Sequence, residues 1–348
     1  GTQNLYSAST VDQMPKHVSA GLMFGSAVTI PVPDLDRTDY LLMLGANPWA
    51  SNGSLCTAPD FPGRLEALQQ RGGRLVVVDP RLSRTAKEAD EHLPIRPGGD
   101  AAWLCSLLHV LVRNDLVSLG RLADHVAGVD ELAAAVEPFS PDAVADITAV
   151  EPKVTERVAR ELAAAPTAAV YGRIGTHTVR FGTVASWAVD AINTLIGSLD
   201  EPGGAMFALS ATGRPVPDAP GGRGFSLGRW RSRVRDLPEA RGELPVATLP
   251  DEILTEGPGR VRALVTVAGN PALSCPDSQR MEEAFASLDF MVSVDIYRNE
   301  TTRFADVILP APSALERSHY DLAFATLAVR NVANWSPPVF ATDAPSES

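Results

Sequence analysis

The sequence predicts an α/β protein built from two related, doubly wound domains, each on a mainly parallel sheet. Three observations carry this. Short apolar runs alternate with helical patterns along the chain. The text "LLMLGANPWAS" at 41–51 returns as "LVTVAGNPALS" at 264–274. The 348 residues exceed what a single core usually serves, so two domains are expected.

Strand-like runs fall at Tyr40–Leu44, Leu75–Val78, Ala168–Tyr171, Ala263–Val267 and Met291–Val294. Each is short and nearly free of charge, as expected of strands buried on both faces of a parallel sheet. Between them lie helical stretches. "PDFPGRLEALQQRGG" offers Asp60 as an N-cap and Gly72-Gly73 as the stop. "DAAWLCSLLHVLVRND", from Asp100, is apolar nearly all round and predicts a buried helix. "EPKVTERVARELAAAP" and "GTVASWAVDAINTLIG" predict two more. Residues 208–246 are rich in Gly, Pro and Arg and read as a long irregular excursion. The boundary is placed at its start. This gives a first domain over 1–207, a second over 208–336 and a tail over 337–348.

Composition narrows the function. Apolar residues make up 45% and charged residues 21%, which is ordinary for a globular protein. A net charge of −12 argues against nucleic acid or an anionic membrane as partner. Cys56, Cys105 and Cys275 are far apart, so neither a disulfide framework nor an iron–sulfur or zinc motif is expected. Sparse cysteines suit a reducing compartment, and the expected location is cytoplasmic. No stretch is long and apolar enough to predict a membrane span. The abrupt start "GTQNLYSAST" has no signal-peptide pattern and reads like a piece of a longer chain.

The repeat extends beyond the Asn-Pro text. With Asp79 set against Asp295, Thr85 matches Thr301, Ala89-Asp90 matches Ala305-Asp306, and Leu93-Pro94 matches Leu309-Pro310, without a gap. This predicts an internal duplication. A strand ending in glycine lets a ligand approach the backbone at the carboxyl edge of a sheet. Asn before Pro is held extended, with its amide directed outward. An aspartate closing the next strand suits ribose hydroxyls or a guanine edge. The plain alternative is that Asn-Pro starts a turn and Asp79 caps one. Two copies in register favour two nucleotide-like sites, or one ligand pair gripped from both sides.

At this point the residues resemble a known family. "GANPWAS", "VVVDPR", "IRPGGDAAWL", "GSLDEPGGAMF", "AGNPALS", "ADVILPAPSALE" and "RNVANWSPP" together resemble the central part of the molybdopterin oxidoreductases of the dimethyl-sulfoxide-reductase type. The resemblance runs over almost the whole chain. It implies two Rossmann-like domains binding bis-molybdopterin guanine dinucleotide with molybdenum or tungsten. It also implies a two-electron reaction on a small-molecule substrate, such as formate oxidation or nitrate reduction, and an electron-transfer partner protein.

Carried over by position, Gly45, Asn47 and Ser51 resemble the first guanine-dinucleotide loop. Asp79 and Arg81 match the strand-end motif near the guanosine, and Pro97, Gly98 and Asp100 match the element that closes over the guanine. Gly172, Gly175 and Thr183 belong to a loop near the pterin. Asn270, Ser274 and Asp295 would serve the second dinucleotide, and Glu316 matches a glutamate after the "LPA" turn. His319 stands where the family often has glycine. Asp12, thirteen residues before Gly25 and three before Pro15, matches the protein ligand to the metal. A carboxylate is a hard ligand that suits an oxophilic metal. Asp12 equally fits an N-cap of the following helix. His17 would assist proton transfer, or is a plain surface or core histidine.

The family's N-terminal iron–sulfur region and C-terminal barrel domain are not in this sequence, so the fragment is expected to be apo and inactive by itself. Two other readings stand beside the enzyme. One is a non-catalytic structural relative, as in a respiratory NADH:quinone oxidoreductase subunit. The other, a thiamine-diphosphate-enzyme-like or NAD-binding module, is weakened by the lack of a GxGxxG turn.

Overall fold

The computed structural model describes residues 2–53, 55–209 and 225–343. It is an α/β protein with parallel sheets, as the sequence predicts. The chain forms two compact units. One comprises Pro15–Gly222 and Leu322–Ala333; the other comprises Gly1–Met14, Arg223–Asp321 and Asn334–Ser348.

In the first unit, strands β1 (Tyr40–Leu44), β2 (Arg74–Val78), β3 (Glu91–Leu93) and β4 (Ala168–Gly172) form one parallel sheet in the order β3-β2-β1-β4. Register pairs Tyr40 with both Arg74 and Ala168. Side chains alternate across the sheet, so each strand feeds two cores. Tyr40, Leu42, Leu44, Val76, Val78 and Leu93 face one core. Leu41, Met43, Leu75, Val77, Ala169 and Tyr171 face the other. Helices cover both. α1 (Met14–Phe24) and α2 (Phe61–Gln70) contribute to the second face through Ala20, Phe61, Leu65 and Leu68. α3 (Asp100–Arg113), α4 (Pro152–Ala164) and α5 (Gly182–Leu195) cover the first through Trp103, Leu107, Val158 and Ile192.

Local chemistry sets the helix ends. Asp60 caps α2 by accepting from the Gly63 N–H at 3.1 Å. Gly72, at φ +88°, turns the chain out after it. Both expectations from the sequence hold.

In the second unit, β5 (Ala263–Val267), β6 (Phe290–Val294) and β7 (Val307–Leu309) form a parallel sheet in the order β7-β6-β5. α6 (Ser278–Ala286) places Met281 and Phe285 in a core with Met291. The expectation of strands buried on both faces fails here: along β5 exposed and half-buried residues alternate, with Val265 66% and Val267 65% exposed. The apolar composition is that of a buried strand, but within the described residues only one face has a covering helix.

The units exchange segments relative to boundaries at 207 and 336. Residues 1–14 fold with the second sheet, because Leu244 N–H donates to Leu5 O at 2.8 Å and Val246 N–H to Thr10 Oγ1 at 3.0 Å. Residues 322–333 fold with the first, where Leu327 enters the core and Ala328 bridges to Thr57. Of the stretch 337–348, read as a tail, residues 337–343 are described, and there the Val339 and Phe340 N–H groups donate to Leu315 O at 2.7 and 3.0 Å. Within the excursion 208–246, residues 210–224 lie outside the described residues. The remainder is less irregular than expected. Leu227–Arg231 and Pro238–Ala240 form a hairpin, drawn together by Arg229 and the buried Glu239 carboxylate.

Candidate functional site

The order β3-β2-β1-β4 reverses direction between β1 and β4, the first and last strands of the sheet in sequence. In open α/β sheets, ligands bind outside the carboxyl ends of the strands at such a switch point. A cavity of ≈ 220 Å³ opens there, lined among others by Gly45, Asn47, Ser51, Tyr171 and Arg173. Three of these were singled out in the sequence. Gly45 and Asn47 lie in the turn after β1; Tyr171 is in the last two residues of β4 and Arg173 follows it.

Gly45 has a different reason from the one read in the sequence. A Cβ there would stand 2.7 Å from Gly175 Cα. Gly175 N–H donates to Gly45 O at 3.1 Å. The two glycines let two loops touch, and only together can they be that close. Gly45 also sits at φ +58°, where a side chain is strained. Gly172 is likewise needed for contact with α5: its Cβ would meet Val189 Cγ2 at 2.9 Å. Thr183 is half-buried in the first turn of α5.

Asn47 turns its acceptor inward. Thr85 Oγ1 donates to Asn47 Oδ1 at 2.8 Å, and Thr85 N–H at 3.3 Å. The wholly outward amide expected from Asn-Pro is therefore corrected: the loop needs its carbonyl as a latch. The duplication explains why Thr85 has a counterpart. Thr301 Oγ1 donates to Asn270 Oδ1 at 2.7 Å. The same two hydroxyls accept from Trp49 N–H at 3.3 Å and Ala272 N–H at 3.0 Å. Ser51 Oγ donates to Asn47 O at 3.2 Å, and Ser274 Oγ to Asn270 O at 2.9 Å. Asp90 accepts from Leu75 N–H at 2.7 Å, and Asp306 from Met291 N–H at 2.8 Å. The residues that match in sequence thus make matching bonds.

Asp79 accepts from Arg81 N–H at 2.8 Å, so the turn-capping alternative is part of its role. None of Arg81, Arg84, Lys87 or Arg96 forms an ion pair with it among the described residues; Arg96 donates instead to Asp146 O at 2.6 Å. Its charged neighbour is another carboxylate. Asp100, buried at the start of α3, has its pKa pushed up to about 6, by burial first and by Asp79 in addition. Pro97 and Gly98 lie exposed before it, with Gly98 at φ +85°. Among the described residues neither carboxylate forms an ion pair, and together they are an acceptor set for N–H or O–H donors.

In the second unit the matching groups are occupied. Asn270 Nδ2 donates to Glu300 Oε2 at 2.7 Å. Asp295 accepts from Tyr297 N–H at 2.8 Å and from Asn299 Nδ2 at 3.1 Å. Glu316 accepts from Ser313 N–H at 2.9 Å, a local turn. His319 lies in a two-residue strand paired with Trp335–Ser336.

Asp12 caps no helix. It is the last residue of the single turn Ser9–Asp12, and α1 begins at Met14. It folds with the second unit, whereas His17 folds with the first. His17 Nδ1 lies 2.8 Å from Ala27 O.

The sequence reading missed a buried polar group behind the cavity. Arg173 and His177 are each 2% exposed. Both ring nitrogens of His177 lack a partner among the described residues. Its pKa is pushed down to about 3, by burial first and then by Arg173, Lys16 and His17, so it is neutral at pH 7. Lys16 pairs with Asp190 at 2.6 Å, both buried. The signal was in the sequence: a charged residue directly after an apolar strand, in a loop otherwise read for its glycines.

Among the described residues no group of three or more His, Cys, Asp or Glu could hold a metal ion alone. A metal here needs most of its ligands from elsewhere. The cavity is lined mainly by apolar surface, with Asn47, Ser51 and Arg173 among its few hydrogen-bonding groups, and the orphaned His177 nitrogens mark buried polar capacity that the described residues do not satisfy.

Residues 2–331 match the molybdopterin oxidoreductase family, and the chain belongs to it. The family is one of enzymes, and membership implies a molybdenum or tungsten pterin cofactor. The chain is 25% identical over 325 residues to the F420-dependent formate dehydrogenase 1 subunit alpha of Methanococcus maripaludis, covering 91% of this chain and 47% of that one. It is 32% identical over 326 residues to the assimilatory nitrate reductase of Haloferax mediterranei, covering 89% and 43%. The fold matches acetylene hydratase from Pelobacter acetylenicus with a TM-score of 0.78 at 20% identity, over 100% of this chain and 50% of that one. The chain thus spans half or less of the length of these relatives. No helix of the described residues is long and apolar enough to cross a membrane.

Proposed function

We propose that this chain is the cofactor-binding region of an enzyme carrying bis-molybdopterin guanine dinucleotide with molybdenum or tungsten. It would catalyse a two-electron reaction on a small molecule, of the kind formate dehydrogenases and nitrate reductases perform. The observation that supports it most is the duplicated Asn–Thr latch with a strand-end aspartate at the carboxyl edge of each sheet.

In this reading Gly45, Asn47, Ser51 and Arg173 hold the phosphate-bearing part of one dinucleotide. Asp79 and Asp100, with Arg81, Pro97 and Gly98, receive its guanosine. Gly172, Gly175 and Thr183 form the loop beside its pterin. Asn270, Ser274, Asp295 and Glu316 serve the second dinucleotide, and the Glu300 and Asn299 side chains yield their bonds to it. Asp12 is the protein ligand to the metal, and His17 moves a proton at the substrate. When bound, the cofactor supplies the two-electron chemistry; the protein binds and orients it. Further domains of the same polypeptide, an electron-transfer partner and a cytoplasmic location complete the reading, the last supported by three buried free cysteines.

The test is metal and guanine-nucleotide analysis of the complete polypeptide, for wild type, Asp12→Ala, Asp79→Ala and Asp295→Ala. Wild type should carry two guanines per molybdenum or tungsten. Each nucleotide-site variant should lose guanine, and Asp12→Ala should retain guanine but lose activity. A complete polypeptide without metal or guanine would sink the reading and leave the non-catalytic structural relative.

A further inference from the structure

The duplication lets one half of the molecule report what the other half lacks. Matching bonds fix the correspondence: Gly45 N–H donates to Val78 O, and Ala268 N–H donates to Val294 O. Val265 then stands where Leu42 stands, Val267 for Leu44, Val294 for Val78 and Leu309 for Leu93. In the first sheet those four positions are buried against α3, α4 and α5. In the second, Val265, Val267 and Leu309 are 66%, 65% and 51% exposed. Phe290 and Val307, on the same face by register, are 47% and 39% exposed. The whole face is apolar. Parallel sheets carry such faces only when both sides are covered, and contiguous exposed apolar patches mark an interaction site.

The edge is open as well. β1 pairs with β4 on the side away from β2. Among the described residues no strand pairs with β5 on the side away from β6. In the first unit, the covering helix α3 follows β3 by a few residues, and β4 comes after it. Among the described residues after β7 the only helix is the four-residue Leu322–Ala325, whose segment folds with the first unit, and the two-residue strands His319–Tyr320 and Trp335–Ser336 pair with each other. Curated relatives are about twice as long as the stretch this chain matches.

We propose that the bare face and free edge of the second sheet are the docking surface for a further segment of the same polypeptide, outside these 348 residues. That segment is an amphipathic helical layer that seats on Val265, Val267, Phe290 and Leu309, and a short apolar strand that pairs in parallel with β5. It completes a switch point in the second unit like the one between β1 and β4. The inference rests on the repeat and on burial, and is independent of which cofactor is bound.

The test compares the 348-residue chain with the product of the complete reading frame. Val265→Cys and Val267→Cys are introduced singly and reacted with a maleimide. Cys56, Cys105 and Cys275 are buried and provide a slow background. Labelling should be fast in the 348-residue chain and about a hundredfold slower in the complete product, as burial by a docked layer requires local opening. Hydrogen exchange of the β5 amides in the unsubstituted proteins should show the same contrast, without reliance on any variant. Equal labelling in both proteins would overturn the proposal. So would protection in the short chain that disappears on dilution, which would make a second copy the occupant. A reading frame encoding nothing beyond these residues would overturn it too.

Discussion

The two sheets come from one repeated sequence pattern and end in different environments. β1 is buried along its whole length, whereas β5 alternates between exposed and half-buried. The latch bonds are the same in both, Asn47 with Thr85 and Asn270 with Thr301. The comparison teaches that the loop geometry of the repeat is local and self-sufficient, while burial depends on what else the chain lays over the sheet. It also separates two states of one acceptor set. Among the described residues Asn47 Nδ2 and Asp79 Oδ2 make no hydrogen bond, while Asn270 Nδ2 and Asp295 Oδ2 hold Glu300 and Asn299.

The sharpest way to break the comparison is paired truncation. Leu42→Ala, at a position 0% exposed, should destabilise the chain by about 2–5 kcal/mol in urea unfolding. Val265→Ala, at the matching position, should change stability by no more than about 0.5 kcal/mol. Equal losses would mean that the second face is covered in solution.

Asp100 gives the next effect, and its sign depends on pH. Its pKa is raised from 3.8 to about 6, so the folded chain holds the proton more tightly than the unfolded one. The stability this provides is complete below pH 3.8 and is lost as pH rises through about 6. Asp100→Asn should therefore stabilise the chain at pH 7.5 by up to about 3 kcal/mol, at 1.36 kcal/mol per pKa unit, and give no gain near pH 3.5. Denaturant melts at the two pH values check this. A gain independent of pH would assign the effect to packing instead of charge.

The latches should behave alike in the two units. Thr85 and Thr301 are both fully buried. Thr85→Val and Thr301→Val each leave an asparagine oxygen short of a donor, costing about 1–3 kcal/mol. A loss in one unit alone would show that the repeat is not energetically equivalent.

Among the site residues the smallest expected change in folding is at Asp79. Without an ion pair to break, Asp79→Ala should lower the melting stability of the apo chain by no more than about 1 kcal/mol. Loss of its charge-assisted bonds should weaken guanine retention in the complete enzyme by about tenfold to a hundredfold per bond. A sharp fall in melting with full nucleotide content would make Asp79 structural, and would weaken the ligand reading of Asp295 with it.

The sequence by itself determined the five long strands of the two parallel sheets, the caps of α2, the buried helix from Asp100 and the register of the repeat. These are short-range facts: side-chain period, turn chemistry, and identical residues at identical spacing. It missed β3 and β7, each three residues long, because "EHL" and "VIL" are too brief to show a period. Only the tertiary structure decided the rest. It brought Asp79 beside Asp100, seated Gly45 on Gly175, and buried Arg173 with His177 behind the switch-point cavity. It moved residues 1–14 to the second unit and left one face of the second sheet bare. An apolar strand reads the same whether or not a helix lies over it, because burial is a property of neighbours far along the chain and not of the strand's own residues.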